Sequence, residues 1–341
     1  MKIKKVCLLF CCLLLVLINF ASCKTTNKKK IRVAEVAHSV FYAPQYVAIE
    51  LGYFEDEGLM VELINANGAD KVTSSLLSGD VEIGLQGPEP TIYLYNNNQD
   101  NYLVNFAQLT QTDGSFIFGR EKIENFNLTM LKGKSILGGR KGGVPEMTLE
   151  YALKNAGLVV KQNASKVDAQ KNEVNVRTDV AFAAMAGSFL SGEGDYVTLF
   201  EPTATDLVKA KKAHLICSVG ELVGKVPYTA YSTTIKYYNS NKETLEKFTK
   251  AIYRGQQYVN TNSDVDVAKL LKKAFPDIAL DDLTSVVNRY RMIDAWCQTP
   301  YFEEMGFEKL MDIMSLAGEL EKRAPYLKLV NNEIANNVLK N

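Results

Sequence analysis

Histidine is scarce in this chain, with only His38 and His214 in 341 residues, and tryptophan occurs once, at Trp296. Charge of neither sign predominates: 39 Lys and Arg face 39 Asp and Glu. So little histidine, with no closely spaced His/Cys group, leaves no metal-ligand pattern. The even charge excludes the basic footprint of a nucleic-acid binder. No Ser/His/Asp order and no Walker motif points to catalysis, and no cofactor fingerprint is present. There is no internal repeat and no low-complexity tract. Of six cysteines, Cys7, Cys11 and Cys12 fall in a leading apolar run and Cys23 just after it. Cys217 and Cys297 are left without a local pattern that asks for a disulfide.

That apolar run, residues 6–20, follows the basic Lys2, Lys4 and Lys5 and ends in the small residues Ala21 and Ser22 before Cys23. It is shorter than the about 20 residues a transmembrane helix needs, and its layout is that of a secretory signal. The small-small-Cys ending resembles a bacterial lipobox, with Phe20 where leucine is usual. That resemblance implies cleavage before Cys23 and a lipid on its thiol. An uncleaved anchor or an ordinary signal peptide fits the same residues. Residues 1–22 are therefore expected to be a leader and residues 23–30 a polar tether. Without the leader, 36 basic residues face 39 acidic ones. About 310 residues remain, which predicts two lobes rather than one core.

From residue 31 onward the chain alternates strand with helix, as in a parallel α/β sheet. Residues 31–37, 59–64, 81–85 and 102–109 read as strands. In such sheets ligands sit at the carboxyl ends of strands. Those ends carry His38 and Ser39, then Gln86, Gly87 and Glu89, then Thr110 and Gln111. Residues 116–119 read as a strand and hinge crossing, and residues 227–233 as the return. Between them lies a second α/β unit, in which residues 161–175 read only as a weak polar stretch and residues 180–190 as a helix. The tail from Lys242 reads as helices over 242–260, 264–274, 281–294 and 306–322.

The second unit opens on a glycine-rich loop. Ser135, Ile136 and Leu137 form a strand; Gly138, Gly139, Gly142 and Gly143 follow, with Arg140 and Lys141 among them. Leu149, Ala152, Leu153 and Ala156 then mark one helix face, with Pro145 in the first turn and Gly157 at the stop. Free N–H groups at such a helix start favour an anion or polar ligand. A dinucleotide fingerprint fails because Arg140 occupies the second glycine position, and a P-loop fails because Leu128 stands where its first glycine belongs. A tight turn without a ligand accounts for the loop equally well at this point.

The stretch from Gly52, Tyr53 and Phe54 to Gly58, Leu59 and Val61 resembles the "Gly-aromatic-Phe … Gly-Leu-x-Val" run of SsuA/THI5-like (NMT1/THI5-like) substrate-binding proteins. Leu77, Gly79, Asp80 and Gly84, the helix start at Gly142 to Glu146, and Glu201-Pro202 resemble further motifs of that family, in the same order. The resemblance covers residues 31 to about 258. It implies a type II periplasmic-binding-protein fold, two α/β lobes joined by two hinge crossings, with residues 31–113 and 230–341 in one lobe and 114–229 in the other. It also implies a solute-binding lipoprotein that hands a small molecule to an ABC permease and ATPase. Such a protein is a monomer on the extracytoplasmic face of the cell membrane, lipid-anchored at Cys23.

The ligand-contact candidates are His38, Ser39, Tyr42, Gln86, Gly87, Glu89, Thr110, Gly142, Gly143, Val144, Glu146, Glu201 and Tyr228. Tyr42, Phe182 and Tyr228 are candidate aromatic walls, whereas Trp296 and His214 read as structural. Binders of sulfonate, taurine or nitrate need donors and avoid inward acids. Glu89, Glu146 and Glu201, with Arg140 and Lys141 flanking, fit a polar heterocycle better, and the helix start at Gly142 to Glu146 resembles that of the family's binders of thiamine-pyrimidine-like precursors. An enzyme is the rival reading, because the fungal pyrimidine synthases share the fold, but their cysteine-rich run is absent here. The expectation is a binding protein, not an enzyme.

Overall fold

The computed structural model describes residues 28–340; the leader, the lipid site at Cys23 and most of the expected tether lie outside them. The first strand already begins at Lys29, inside the stretch read as tether. In chain order the strands are β1 (Lys29–Glu35), β2 (Leu59–Asn65), β3 (Ile83–Gln86), β4 (Leu103–Thr110), β5 (Phe116–Gly119), β6 (Ser135–Leu137), β7 (Val159–Gln162), β8 (Glu173–Arg177), β9 (Tyr196–Leu199), β10 (His214–Ser218) and β11 (Thr229–Thr234). They make two sheets, ordered β2-β1-β3-β11-β4 and β10-β5-β9-β6-β8-β7. Every residue of β3, β4, β9 and β11 is buried, as expected of strands covered on both faces.

The sheets are not wholly parallel. β11 runs antiparallel to β3 and β4, and β5 runs antiparallel to β9 and β10. Each reversed strand is the one the chain enters on passing from one sheet to the other. The passages are residues 111–115 and 219–228. The segments expected to be crossings, residues 116–119 and 227–233, are therefore mostly sheet strand, as 116–119 was also read, and the crossings are the residues just before each reversed strand. The chain leaves each sheet at the carboxyl end of a forward strand and enters the next on a reversed one. The carboxyl ends of the forward strands in both sheets thus face the same junction, where α/β sheets hold their ligands.

The stretch read as weakly polar, residues 161–175, contains the end of β7, the edge strand of the second sheet, and most of β8, its neighbour. The glycine-rich loop is as expected: β6, then the helix Val144–Asn155 with proline in its first turn. Gly157 follows that helix with φ +79°, the left-handed conformation that ends helices. The segment expected as a helix over 180–190 is a 3-10 turn at Phe182–Ala184 followed by a short helix, Met185–Leu190.

The C-terminal helices brace the two units. Helix Lys242–Thr261 buries Leu245, Phe248, Ile252 and Val259 on one face and crosses helix Ala43–Glu50. The crossing is close because of Gly255, where a Cβ would stand 2.2 Å from the Pro44 carbonyl oxygen. Helix Glu304–Ala317 instead packs on Val144–Asn155 of the second unit, and Lys154 Nζ donates to the Leu316 carbonyl at 2.8 Å. Trp296 is buried, and its indole donates to the Phe41 carbonyl at 2.9 Å. Among the described residues Cys217 and Cys297 are free thiols, and no helix is long and apolar enough to cross a membrane.

Candidate ligand cleft between the lobes

Helix starts and strand ends from both sheets meet at the junction. Ser39, just past β1, donates from Oγ to the Glu201 carbonyl at 3.0 Å. Tyr93, in helix Glu89–Asn96, donates to the Gly142 carbonyl at 3.0 Å. Lys141 and Glu319 pair over the same loop. Phe41 stands 5.6 Å from Tyr228, 6.0 Å from Phe200 and 5.1 Å from Tyr290, so aromatic rings from four parts of the chain abut here. Phe182 extends the row at 5.6 Å from Phe200 and is half exposed.

Two carboxyl groups are sealed into this junction. Glu89, at the first position of its helix, is 2 % exposed, and its Oε2 has no hydrogen-bond partner. Burial pushes it up to about 7, against the pull of its own N–H, the Arg140 charge and the Val144 N–H of the other lobe. Asp113, in the first crossing, accepts from the Ser115 N–H at 2.6 Å and from the Thr148 hydroxyl. Burial raises it to about 6 despite those bonds. The Tyr228 phenol, in the second crossing, feels both carboxylates and is held far above its usual range, chiefly by burial.

The other candidates make contacts within the protein. Glu146 turns into its own lobe. It accepts from the Gly142 N–H at 3.1 Å and from Gln162 Nε2 at 3.0 Å, and Gln162 also bridges to Glu150 at 2.7 Å. Burial and then the Glu150 charge push Glu146 well up. The Gly143 N–H closes on Arg140 O at 3.2 Å. Of the loop's three amides only that of Val144 faces the junction acid. Gln86 bonds Thr73 and Ser232 within the first sheet's lobe, and Thr110 bonds Thr229 at 2.6 Å between strands. Gly87 holds the approach: a Cβ there would meet Glu89 Oε2 at 2.0 Å and Val144 at 3.0 Å. Tyr42 is buried beside Phe41. Glu201 pairs with Arg289 and accepts from the Thr205 N–H at 2.9 Å, while its own N–H donates to Tyr290 at 3.1 Å.

His38 lies to one side. Its Nδ1 faces Glu35 Oε1 at 3.0 Å and its Nε2 faces the Ala274 carbonyl at 2.9 Å, with Phe275 stacked at 4.5 Å. Two acceptors favour the doubly protonated ring, and the Glu35 hydrogen bond is the main cause of its raised pKa. Glu35 also accepts from Gln45 at 2.9 Å and Tyr46 at 2.8 Å. Sequence reasoning missed Glu35, Tyr93, Asp113, Arg289 and Tyr290. Only Asp113, beside Gly114 in a polar break between strands, carried a local signal.

Tyr93→Phe removes one bond between the lobes and leaves the buried Gly142 carbonyl unpaired, a loss of about 1 kcal/mol. The balance between open and closed forms should shift toward open by roughly fivefold. Small-angle scattering would register a larger mean radius of gyration; an unchanged profile would mean the bond does not hold the lobes.

Two α/β lobes, two crossings and a junction lined by strand ends define a periplasmic-binding-protein fold. The match to the NMT1/THI5 like family model over residues 40–264 makes the chain a member of the NMT1/THI5-like family. It is 42 % identical over 319 residues to a protein of Bacillus subtilis (strain 168) described as "Putative binding protein YtlA", covering 93 % of this chain and 92 % of the relative. A ligand-binding component of an ABC-type import system from Staphylococcus aureus, solved with zinc bound, superposes with a TM-score of 0.71 at 12 % identity, over 91 % of this chain and 99 % of that one. The alkanesulfonate-binding protein SsuA from Xanthomonas axonopodis pv. citri, bound to MOPS, superposes at 0.69 and 14 % identity, over 89 % and 98 %. At such identities these two structures establish the shared fold.

Proposed function

We propose that this chain is the extracytoplasmic solute-binding component of an ABC importer, held to the cell membrane by a lipid on Cys23. It works as a monomer with a permease and an ATPase. Residues 31–113 and 230–341 form one lobe and 114–229 the other, and they close on a small polar ligand by hinge bending. The ligand is a polar heterocycle of the thiamine-pyrimidine-like kind. The observation that carries this reading is the junction itself: strand ends of both sheets converge there on aromatic rings and two sealed carboxyl groups. Its ligand contacts are drawn from Ser39, Tyr42, Gly87, Glu89, Val144, Glu201 and Tyr228 at the junction. His38, Gln86, Thr110, Gly142, Gly143 and Glu146 stand behind them as supports. The alkanesulfonate binder of the same fold supports the rival anionic ligand, but two buried acids oppose an anion.

Native mass spectrometry of the full chain from its host should reveal one co-purifying small molecule. That molecule should stabilise the fold as mass action requires, by about 2.7 kcal/mol at a hundredfold excess over Kd, and so raise the melting temperature. Tight binding of taurine or an alkanesulfonate, with no response to pyrimidines, removes the heterocycle. Turnover of the bound molecule would make the protein an enzyme.

A further inference from the structure

The unpaired Glu89 oxygen carries more than a place on the cleft wall. Its carboxyl group stands at the first turn of helix Glu89–Asn96 and faces the Val144 N–H that opens helix Val144–Asn155 across the junction. Two helix starts brought to one point make a site for an external anion, because free N–H groups and both dipoles favour negative charge. Here the chain's own carboxyl group occupies that position. It has an oxygen to spare: Oε2 is buried and without a partner, and such orphans mark groups that a ligand or water completes. Asp113 adds a second acid near the Tyr228 phenol, which both carboxylates influence. Arg140 is the cation that bears on Glu89, and it is exposed.

We infer that Glu89 sets the charge class of the ligand: its carboxyl group excludes oxyanions from the paired helix starts, and its free oxygen accepts an N–H from an amino-substituted heterocycle or amine. The inference rests on the solute-binding reading and names the residue that decides specificity within it. Above about pH 7, where Glu89 is ionised, an incoming sulfonate meets a like charge, and it finds its donors already engaged. An amino group completes the orphan oxygen, and the rings of Phe41, Phe200 and Tyr228 offer it flat surfaces.

The test compares the full chain with Glu89→Ala and Glu89→Asp, using methanesulfonate, nitrate and 4-aminopyrimidine as probes in calorimetry and thermal melts. Wild type should ignore both anions. Glu89→Ala, with the helix starts uncovered, should gain at least about tenfold in methanesulfonate affinity. Glu89→Asp keeps the charge and should stay blind to anions, while 4-aminopyrimidine should lose affinity in Glu89→Ala. Methanesulfonate binding to wild type and Glu89→Ala alike would overturn the inference and leave the solute-binding reading standing. No anion response in Glu89→Ala would also overturn it, and the 4-aminopyrimidine melts then judge the solute-binding reading separately. Methanesulfonate binding by wild type overturns the inference whether or not a variant folds.

Discussion

Asp113→Ala should destabilise the protein by about 2–4 kcal/mol, among the larger losses a single substitution gives. The carboxyl group sits fully buried in the first crossing. Removing it leaves the Ser115 N–H without its acceptor at 2.6 Å and opens a void beside Tyr228. A buried donor left unpaired costs about 1–3 kcal/mol, and the void adds to that. Thr148 loses less, since its hydroxyl also reaches the Val144 carbonyl at 2.8 Å. Asp113→Asn keeps the shape and an acceptor and should lose no more than about 1 kcal/mol. Urea denaturation of the three proteins measures both steps. Equal stability of wild type and Asp113→Ala would mean the crossing does not depend on its acid.

The second large effect is on pH. Asp113 is pushed up to about 6 and Glu89 to about 7, and Glu146 is raised further by its neighbour Glu150. In the unfolded chain these acids release their protons near pH 4. Between that point and the raised values the unfolded state binds fewer protons than the folded one, so stability falls as pH rises. Each group contributes on the order of 1 kcal/mol per pH unit within its window. His38 acts in the same direction: its raised pKa gives stability that is complete below about 6.5 and lost as pH rises through the folded value. The acids with lowered values, Glu82, Asp179, Glu243 and Asp266, withdraw stability only toward stronger acid. Stability should therefore peak near pH 4, where the unfolded acids release their protons, and decline toward pH 8. Glu146→Gln should flatten part of the decline. Denaturation midpoints that stay level or rise from pH 5 to pH 8 would contradict the burial of these acids.

Much of the architecture was legible because alternation of strand and helix is a local property. The Ser135–Leu137 strand, its glycine loop and the Val144–Asn155 helix followed from apolar spacing, Pro145 and Gly157. The reversal of β5 and β11 was not legible, because a strand's direction is fixed by where the chain enters the sheet. β7 hid in a polar stretch because an edge strand needs fewer apolar residues, and β8 because its apolar content is only Val174 and Val176 among polar residues. The crossings were displaced for a related reason. Residues 116–119, read as both strand and crossing, are strand, and residues 227–233, read as the return, are mostly β11; the connectors precede each of them, and a connector that runs into a strand gives no local sign of where it stops.

The site divided along similar lines. Glu89 was visible as an acid at a strand end. Whether its oxygen had a partner depended on Val144 and Arg140, some fifty residues away. Glu146 also stood at a helix start, but Gln162, from a strand not foreseen, drew it inward. Tyr290 and Arg289, which hold Glu201, come from the C-terminal helices and leave no trace near that residue.

The second sheet is built from one uninterrupted stretch of chain, β5 to β10, whereas the first takes β11 from beyond it and seats that strand between β3 and β4. The two units therefore differ in when their contacts become available during synthesis. The inserted unit has all its strands once residue 218 has emerged. The outer unit must hold β3 and β4 apart, their inner edges unpaired, until residues 229–234 and then helix Lys242–Thr261 arrive. Its pairings are long-range and slow to form. The outer lobe is thus the later to fold, and its open β3–β4 gap is the edge most exposed to mispairing and aggregation before the chain is finished.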